Sequence, residues 1–404
     1  METVYITSYS AVTACGFGSQ ALLKALLEQR SYLQKAALIK PDFVMYTGEV
    51  HEILPEIQSE FLAYNTRNAR LALAALDCQE ASFRLAVNLA RQTYGASRVG
   101  VIIGTSTSGI YETELSYQHH ENTGSITDDF DLQHQHAWVA TAEFLKKELQ
   151  LTGPCYGIST ACSSSGKAIA AGQRMIESGI CDAVVVGGVD SMCHLTVHGF
   201  HSLELTSEVP CTPLDEQRHG ISLGEAAGLL LLERQSNESC NLALVGYGES
   251  SDAHHMTAPH PQGAGSKQAM QTALLRAGLQ TEDIDYINLH ATGTRLNDES
   301  EMCAVAALFD RQTPCSATKG ITGHTLGAAG AVEAIVSLLA LEHQFIPGTW
   351  GLNKVDPAFE NNVVERPLKN QSLRHVMSNN FGFGGNNVSL IFSRNMAPEE
   401  VPYG

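Results

Sequence analysis

Cys162 lies where a short strand-like segment gives way to a helical one, in a stretch of small residues. Residues 155–159 have a strand pattern, and the residues from 164 onward have a helical one. A thiol on such a tight turn lies near free backbone N–H groups and the positive end of the helix dipole. These features favour the nucleophilic thiolate, so we expect the pKa of Cys162 to be lowered. The alternative is that Cys162 is simply a small core residue.

Three more segments carry side chains that could work with a thiol. His290 ends a strand-like segment, Lys319 and His324 share a glycine-bordered stretch, and residues 381–387 form a glycine-rich turn. Either histidine alone would more often be structural or merely exposed. Together the segments offer a nucleophile, two neutral imidazoles that donate hydrogen bonds, and freed N–H groups for an oxyanion. The set therefore predicts a site of covalent catalysis.

The elements that must position these residues alternate along the chain. Continuous apolar runs such as residues 99–104 predict buried strands, and amphipathic segments between such runs predict helices, so the chain is a layered α/β protein. A chain of 404 residues exceeds one hydrophobic core. Residues 314–324 also echo residues 154–162, at an offset of 160 residues (315 − 155). The pattern predicts a duplicated unit whose matching turns meet where the halves join.

A polar segment, residues 234–241, marks the boundary between the predicted halves. It divides the chain into an N-terminal half, residues 1–240, with the nucleophile, and a C-terminal half, residues 241–404, with both histidines.

Composition excludes several classes of protein. The net charge of −18 argues against broad binding to nucleic acid or anionic membranes. Ten cysteines without a Cys-x-x-Cys pair suit reduced thiols in a cytoplasmic protein. The N-terminus shows no secretory signal, and the apolar runs noticed at residues 183–186 and 229–232 are too short to span a bilayer. The histidine-rich residues 117–136 lack a recognised metal-ligand spacing, so we expect a solvated or subunit-contacting excursion there.

The segments around Cys162, His290, Lys319 and the glycine-rich turn form four motifs. In chain order, these motifs resemble those of the elongating β-ketoacyl-acyl-carrier-protein synthases, the condensing-enzyme branch of the thiolase-like superfamily. The likeness covers nearly the whole chain. The Cys-His-His set differs from the initiating branch, which carries Cys-His-Asn, and from thiolases, which carry a second cysteine near the C-terminus. The resemblance implies an α/β thiolase-like fold with two pseudo-repeated halves in α-β-α-β-α layers. The motifs are residues 160–165, 290–294, 319–330 and 380–385.

The resemblance also implies a mechanism. Cys162 would take an acyl chain from acyl carrier protein, with the backbone N–H groups of Cys162 and Phe383 as the oxyanion hole. His290 and His324 would hold the malonyl thioester during decarboxylation, and the product would be a 3-oxoacyl chain two carbons longer. No cofactor is expected beyond the phosphopantetheine of the carrier, and no metal. The partner is acyl carrier protein, and the chain is expected to form a homodimer or a heterodimer with a chain-length-factor-like homologue.

Supporting roles follow from the same likeness. Lys319 and Glu333 would orient His324, Asp298 and Glu301 would steady the loop of His290, and Phe383 would act as a gate. Phe381 would be a supporting aromatic, and Thr292 and Thr294 would hydrogen-bond the pantetheine arm. Ile110 would line the distal acyl pocket, and Arg67 and Arg70 would form a basic patch for the carrier.

The chain departs from the family pattern in one loop. The family usually has Pro-Phe-Asp-x-x-Arg-Asp-Gly-Phe, whereas this chain has Leu214, His219 and Ile221 at the variant positions. Residues 104–111, where the family shapes the distal pocket, are rich in hydroxyl groups. Both features favour a type II polyketide or polyene-like pathway over ordinary fatty-acid synthesis. The alternatives are a non-catalytic chain-length-factor-type partner and a thiolase or initiating synthase that uses coenzyme A esters.

Overall fold

The computed structural model describes residues 3–78, 83–235 and 241–394. The strands in these ranges are β1 (Val4–Thr13), β2 (Gly16–Phe17), β3 (Gln34–Lys35), β4 (Tyr46–Gly48), β5 (Val99–Gly104), β6 (Cys155–Ile158), β7 (Ala183–Asp190), β8 (Leu223–Gly224), β9 (Ala226–Glu233), β10 (Leu242–Ser251), β11 (Tyr286–Asn288), β12 (Pro314–Ser316), β13 (Asn362–Val363), β14 (His375–Gly382) and β15 (Asn386–Arg394). The helices are α1 (Ser19–Glu28), α2 (Arg67–Asp77), α3 (Phe83–Tyr94), α4 (Ile110–Thr123), α5 (Ala140–Glu148), α6 (Ser164–Glu177), α7 (His194–Ser202), α8 (Ala264–Ala277), α9 (Arg295–Ala306), α10 (Lys319–Thr322) and α11 (Ala329–His343).

The main sheet repeats one arrangement of strands twice. Its order is β13-β12-β11-β14-β15-β10-β1-β9-β7-β5-β6, with β1 and β10 antiparallel at the centre. Outward from this pair, β9, β7, β5 and β6 on one side match β15, β14, β11 and β12 on the other. The parallel pairs also match, since β5 pairs with β6 and β7 just as β11 pairs with β12 and β14. The predicted α/β fold with pseudo-repeated halves is confirmed.

The helices form layers on and between the two halves of the sheet. α6 and α11 pack on each other, and α11 packs against strands of both halves. α2, α3 and α5 cover the outer face of the first half, and α8 packs on the second half beside α9. This arrangement is the expected α-β-α-β-α order, with α11 as the central element.

The central position of α11 explains its composition. Together with the turn before it, Leu326–His343 is long and apolar enough to cross a membrane, but 89% of it is buried inside the protein. An element that is apolar all round belongs in a core when other elements cover every face. The apolar run at Leu326–His343 is much longer than those at residues 183–186 and 229–232, on which the expectation of no membrane span was based.

Two expectations about the chain's organisation have different outcomes. The predicted excursion at residues 117–136 contains the end of α4 and a π-helix, Leu132–His136, and most of these residues are exposed. The boundary predicted at residue 240 adjoins residues 236–240, which lie outside the described ranges. The division into residues 1–240 and 241–404 therefore stays a prediction.

Candidate active site

Cys162 lies between β6 and α6 on the predicted turn. Ala161, just before it, has φ +53°, so the backbone turns sharply through the left-handed region. The Oγ of Ser164 fixes this turn by accepting the N–H of Thr160 at 2.9 Å and donating to the carbonyl of Ala161. The thiol is 6% exposed, and its Sγ is 2.9 Å from Nε2 of His324.

The two predicted histidines meet at this thiol. The rings of His290 and His324 are 5.1 Å apart between centroids and nearly perpendicular, at 84°. Sγ of Cys162 and one nitrogen from each ring all lie within 4.8 Å of one another. Residues that are 128 and 162 positions from Cys162 (290 − 162 and 324 − 162) are therefore brought to one point by the fold.

Lys319 contacts His290, whereas the expected contact was with His324. Its buried Nζ donates to Nδ1 of His290 at 3.3 Å and to the His290 carbonyl, and it forms an ion pair with Glu333. Because an ammonium only donates, Nδ1 must accept, and the ring proton of His290 lies on Nε2. Glu333 accepts a hydrogen bond from Asn380 with its other oxygen, which anchors the ammonium from below.

Two carboxylates hold the His290 loop as predicted. Glu301 accepts the backbone N–H groups of His290 and Ala291 at 2.9 and 2.7 Å. Asp298 accepts those of Thr292 and Gly293 at 2.9 and 3.2 Å. Burial raises the pKa of both carboxyls, that of Glu301 to about 8, while these N–H groups oppose the shift.

His324 is held by its backbone rather than by its ring. Its N–H donates to the carbonyl of Ser222 at 2.8 Å, and its carbonyl accepts from Gly224 at 2.9 Å. Gly323 has φ +76°, a conformation that favours glycine and that turns the chain into the site. Among the described residues, Nδ1 of His324 is buried without a hydrogen-bond partner.

The pKa expected for Cys162 was wrong in direction. Burial raises the pKa of this thiol to about 11. The ammonium of Lys319 and the N–H groups of Phe383 and Cys162 do favour the thiolate, but desolvation outweighs them. Burial, and then the Lys319 ammonium, hold the pKa of His290 and His324 well below the usual range. The free site therefore pairs a neutral thiol with neutral imidazoles.

The N–H groups of Cys162 and Phe383 both favour the thiolate of Cys162 and so lie beside the same sulfur, while the oxyanion hole expected of them stays a prediction. A side chain at Gly382 would place its Cβ 3.1 Å from the nitrogen of Cys162, a tight contact that favours glycine at this position. The Phe383 ring packs on Phe200 with centroids 5.4 Å apart, and Phe381 lies 6.4 Å from the His290 ring. Phe200 was missed, because nothing near it in the sequence suggests a role.

These residues line one cavity of about 350 Å³. Thr292 and Thr294 line it with their hydroxyls 2.9 Å apart, and their contact with the pantetheine arm stays a prediction. Ile110 does not line it, because it is buried as the first residue of α4. Ile221 lines the cavity, whereas Leu214 packs in the apolar core of the second half, so only one of the two replaced phenylalanine positions faces this space.

The hydroxyl-rich residues 104–111 do not present their hydroxyls to a pocket. Thr105 and Thr107 donate to buried Asp190 at 2.6 and 2.8 Å. Ser106 donates to the Ala161 carbonyl at 3.1 Å, and Ser108 donates to a backbone carbonyl at 2.9 Å. Asp190 also accepts the N–H of Gly327 and so links this stretch to the second half. These hydroxyls are used within the fold, so the hydroxyl-rich stretch gives the expected polyketide or polyene-like pathway no support of its own.

Arg67 and Arg70 do not form the expected basic patch. Arg67 is paired with the buried carboxylate of Glu225, and its side chain is only 18% exposed. Arg70 donates to the backbone carbonyls of Leu54 and Pro55, each at 3.0 Å. The charge of Arg67 is therefore neutralised by Glu225, which would be costly to leave unpaired, whereas the guanidinium of Arg70 is held by neutral carbonyls.

Comparison with known proteins agrees with this geometry. The β-ketoacyl synthase N-terminal domain matches residues 1–238, and the β-ketoacyl synthase C-terminal domain matches residues 242–353. The chain is 32% identical to the 3-oxoacyl-[acyl-carrier-protein] synthase 2 of Staphylococcus aureus over 314 residues, 74% of this chain and 76% of that protein. It is 39% identical to the mitochondrial 3-oxoacyl-[acyl-carrier-protein] synthase of Arabidopsis thaliana over 262 residues, 60% of this chain and 56% of that protein.

Solved structures extend the similarity over the whole chain. One is a chain from the complex of a ketosynthase with its chain length factor from Xenorhabdus doucetiae, with TM-score 0.90, 38% identity and 98% of each chain covered. Another is a chain of the ishigamide ketosynthase/chain length factor, with TM-score 0.89, 26% identity, 98% of this chain and 100% of that one covered. Domain matches, relatives and site geometry agree: the chain belongs to the β-ketoacyl synthase family of condensing enzymes, which are acyltransferases.

Proposed function

We propose that this chain condenses malonyl-acyl-carrier protein with an acyl chain held on Cys162, releasing carbon dioxide and forming a 3-oxoacyl-carrier protein. The observation that carries the proposal is the approach of Cys162, His290 and His324 to within 4.8 Å of one another. The relatives whose names specify acyl carrier protein support the choice of carrier.

In the first step, Sγ of Cys162 attacks the acyl thioester while its proton passes to Nε2 of His324, 2.9 Å away. The N–H groups of Cys162 and Phe383 bind the developing oxyanion. When the intermediate collapses, the carrier thiolate leaves and takes the proton from His324, so the acyl group stays on sulfur. Proton transfer during attack suits a thiol whose pKa is raised to about 11.

In the second step, Nε2–H of His290 donates to the malonyl thioester carbonyl. His324 donates from Nε2 as well in this step, which requires the tautomer with its proton on Nε2 rather than on Nδ1, the atom left without a partner among the described residues. The bond to the carboxylate breaks, and its electron pair forms the enolate as carbon dioxide leaves. The enolate carbon attacks the acyl carbonyl on Cys162, the C–S bond breaks, and the departing thiolate takes up one proton from solvent. Because the broken bond supplies the electrons, this step needs no metal or redox cofactor.

Lys319 has a supporting part in this scheme. Its ammonium fixes Nδ1 of His290 as an acceptor, so Nε2 presents a proton to the cavity. Burial, and then this positive charge, keeps both rings neutral, and neutral rings donate a hydrogen bond without losing a proton to the enolate.

We further propose a type II polyketide or polyene-like pathway and a heterodimer with a chain-length-factor-like homologue in the cytoplasm, a homodimer being the alternative. The ketosynthase and chain length factor complexes among the similar structures support the pairing, and Ile221 in the cavity supports an acyl chain unlike the usual saturated one. This chain has Cys162, His290 and His324, which favours the active subunit over a non-catalytic one. His324 and the lack of a second cysteine near the C-terminus disfavour a thiolase.

The test uses His290→Ala, which we expect to accept an acyl chain but to condense poorly. The variant is incubated with acyl-carrier proteins of several lengths, alone and co-purified with a candidate homologue, and intact mass and peptide mapping locate the adduct. We expect a single acyl group on Cys162 and no adduct in Cys162→Ala. Acyl groups on another residue, or none in any preparation, would refute the proposed function.

A further inference from the structure

Two arginines line the active-site cavity, and their environments differ. Arg218 is fully buried, and its guanidinium forms ion pairs with Asp298, Glu299 and Asp356. Arg295 is exposed, and its guanidinium forms no ion pair or hydrogen bond with any residue in the described ranges. Within that part of the chain, Arg295 is therefore the cavity-lining arginine whose charge is not neutralised by a direct contact.

Arg295 lies near the exposed end of a segment, residues 290–296, that begins at the catalytic His290. Along one segment, exposure rises from 1% for His290 through 6% for Thr292 to 59% for Leu296, and all three line the cavity. Thr294 is half-buried between them. A pantetheine arm that delivers its thioester to Cys162 passes Thr292 and Thr294 and leaves the cavity beside Arg295.

We propose that Arg295 binds the phosphate of the carrier's phosphopantetheine arm, an inference that rests on the proposed function. A guanidinium offers a planar pair of donors that matches phosphate geometry better than an ammonium does. With a net charge of −18, the protein repels acidic donors overall, so a cation without a direct ion pair at the entrance favours their capture, although the charge of Arg295 also acts on Asp356. Glu204 is the exposed carboxylate in the same cavity lining and opposes this attraction.

The experiment compares three malonyl donors that share the reacting thioester: malonyl-carrier protein, malonyl-phosphopantetheine and malonyl-pantetheine, which lacks the phosphate. For Arg295→Ala we expect KM to rise about tenfold for the first two donors and to stay unchanged for the third, with kcat near wild type. Arg295→Lys should lie in between. Glu204→Gln should lower KM for the phosphate-bearing donors, because it removes an opposing charge.

Arg366→Ala is the matched control, since Arg366 is also exposed but does not line the cavity. It should leave all three KM values unchanged. An increase of KM in Arg295→Ala for the carrier protein only would show that Arg295 reads the carrier's surface and would overturn the phosphate assignment, as would three unchanged values. Failure of the wild-type protein to condense any donor, both alone and co-purified with the candidate homologue, would instead refute the proposed function, so the two failures are distinguishable.

Discussion

The two halves of the molecule place a strand–turn–helix unit at the same topological position and equip it differently. In the first half, β6 leads through Cys162 directly into α6, and the neighbouring Ser163, Ser164 and Ser165 are buried and uncharged. In the second half, α10 is inserted between β12 and α11, and the unit buries Lys319 together with His324 and Glu333. The first turn is a thiol among backbone N–H groups, and the second is a charge network around an imidazole.

This difference separates two tasks of one reaction. Acyl transfer needs a nucleophile and a place for an oxyanion, which small residues and free N–H groups provide. Decarboxylation needs hydrogen-bond donors that stay neutral, and burial, together with the Lys319 ammonium, keeps His290 and His324 neutral. The duplication thus permitted each copy of the turn to be specialised without a change in the sheet.

A loop of the first half nevertheless positions a catalytic residue of the second half. Ser222 and Gly224 belong to the first half but hold the backbone of His324 at 2.8 and 2.9 Å. The second-half histidine is therefore placed 2.9 Å from the first-half thiol by a first-half loop. Neither half on its own would contain a complete site.

The strongest test of this division removes the charge from the second turn. Lys319→Met leaves Glu333 buried without its ion pair, and we expect the unfolding free energy to fall by about 3–5 kcal/mol at pH 8. The pKa of Glu333, already raised to about 7, rises further without the ammonium. A carboxyl whose folded pKa is raised contributes stability at low pH that is lost as pH rises through that pKa. The loss should therefore be smaller at pH 6, as urea unfolding at both values would show.

The activity of the same variant separates charge from stability. We expect decarboxylation of malonyl-carrier protein to fall by roughly 10²–10³-fold, because Nδ1 of His290 loses its donor. In Lys319→Met/Glu333→Gln, the buried charge is gone, so stability and its pH dependence should recover while decarboxylation does not. Recovery of both would mean that Lys319 acts only on stability, and the proposed split between the halves would be wrong.

The second test concerns the first turn and uses pH. Because only the thiolate reacts with iodoacetamide, and the pKa of Cys162 is raised to about 11, alkylation should accelerate about tenfold per pH unit from 7 to 10. Lys319→Met should react more slowly at every pH, since the ammonium favours the thiolate. Mass spectrometry of the Cys162 peptide measures the rate, with exposed Cys303 as an internal reference. A plateau between pH 6 and 8 would indicate a preformed thiolate and contradict the neutral site.

Much of this site could be read from the sequence because its signals are local. Small residues around Cys162, glycines bordering His290 and His324, and the recurrence at 160 residues indicated both the turns and the repeat. The resemblance to a family then supplied roles that spacing alone could not give.

What failed depends on contacts between distant segments. The pKa of Cys162 is decided by burial beneath residues far away in the chain, which no local pattern reveals. Arg67 resembled a surface charge until the fold placed Glu225 against it. Thr105 and Thr107 resembled pocket hydroxyls until Asp190 was found to accept from both. In each case, a partner more than 80 positions away (225 − 67, 190 − 105, 190 − 107) changed the role of the residue.

The smallest expected effect concerns the first-half loop that contains Leu214 and Ile221, the positions where the chain diverges from the family. Ile221 faces the cavity near Phe200 and Leu205, so Ile221→Phe should lower the use of long acyl chains relative to short ones by roughly tenfold. Leu214 packs with Ile287 and Ala291 in the second-half core, so Leu214→Phe should lower stability by about 1–3 kcal/mol and leave chain preference unchanged. Competition between acyl-carrier proteins of two lengths measures the preference. Equal shifts in both variants would mean that the loop acts through stability, and that Ile221 has no contact with the acyl chain.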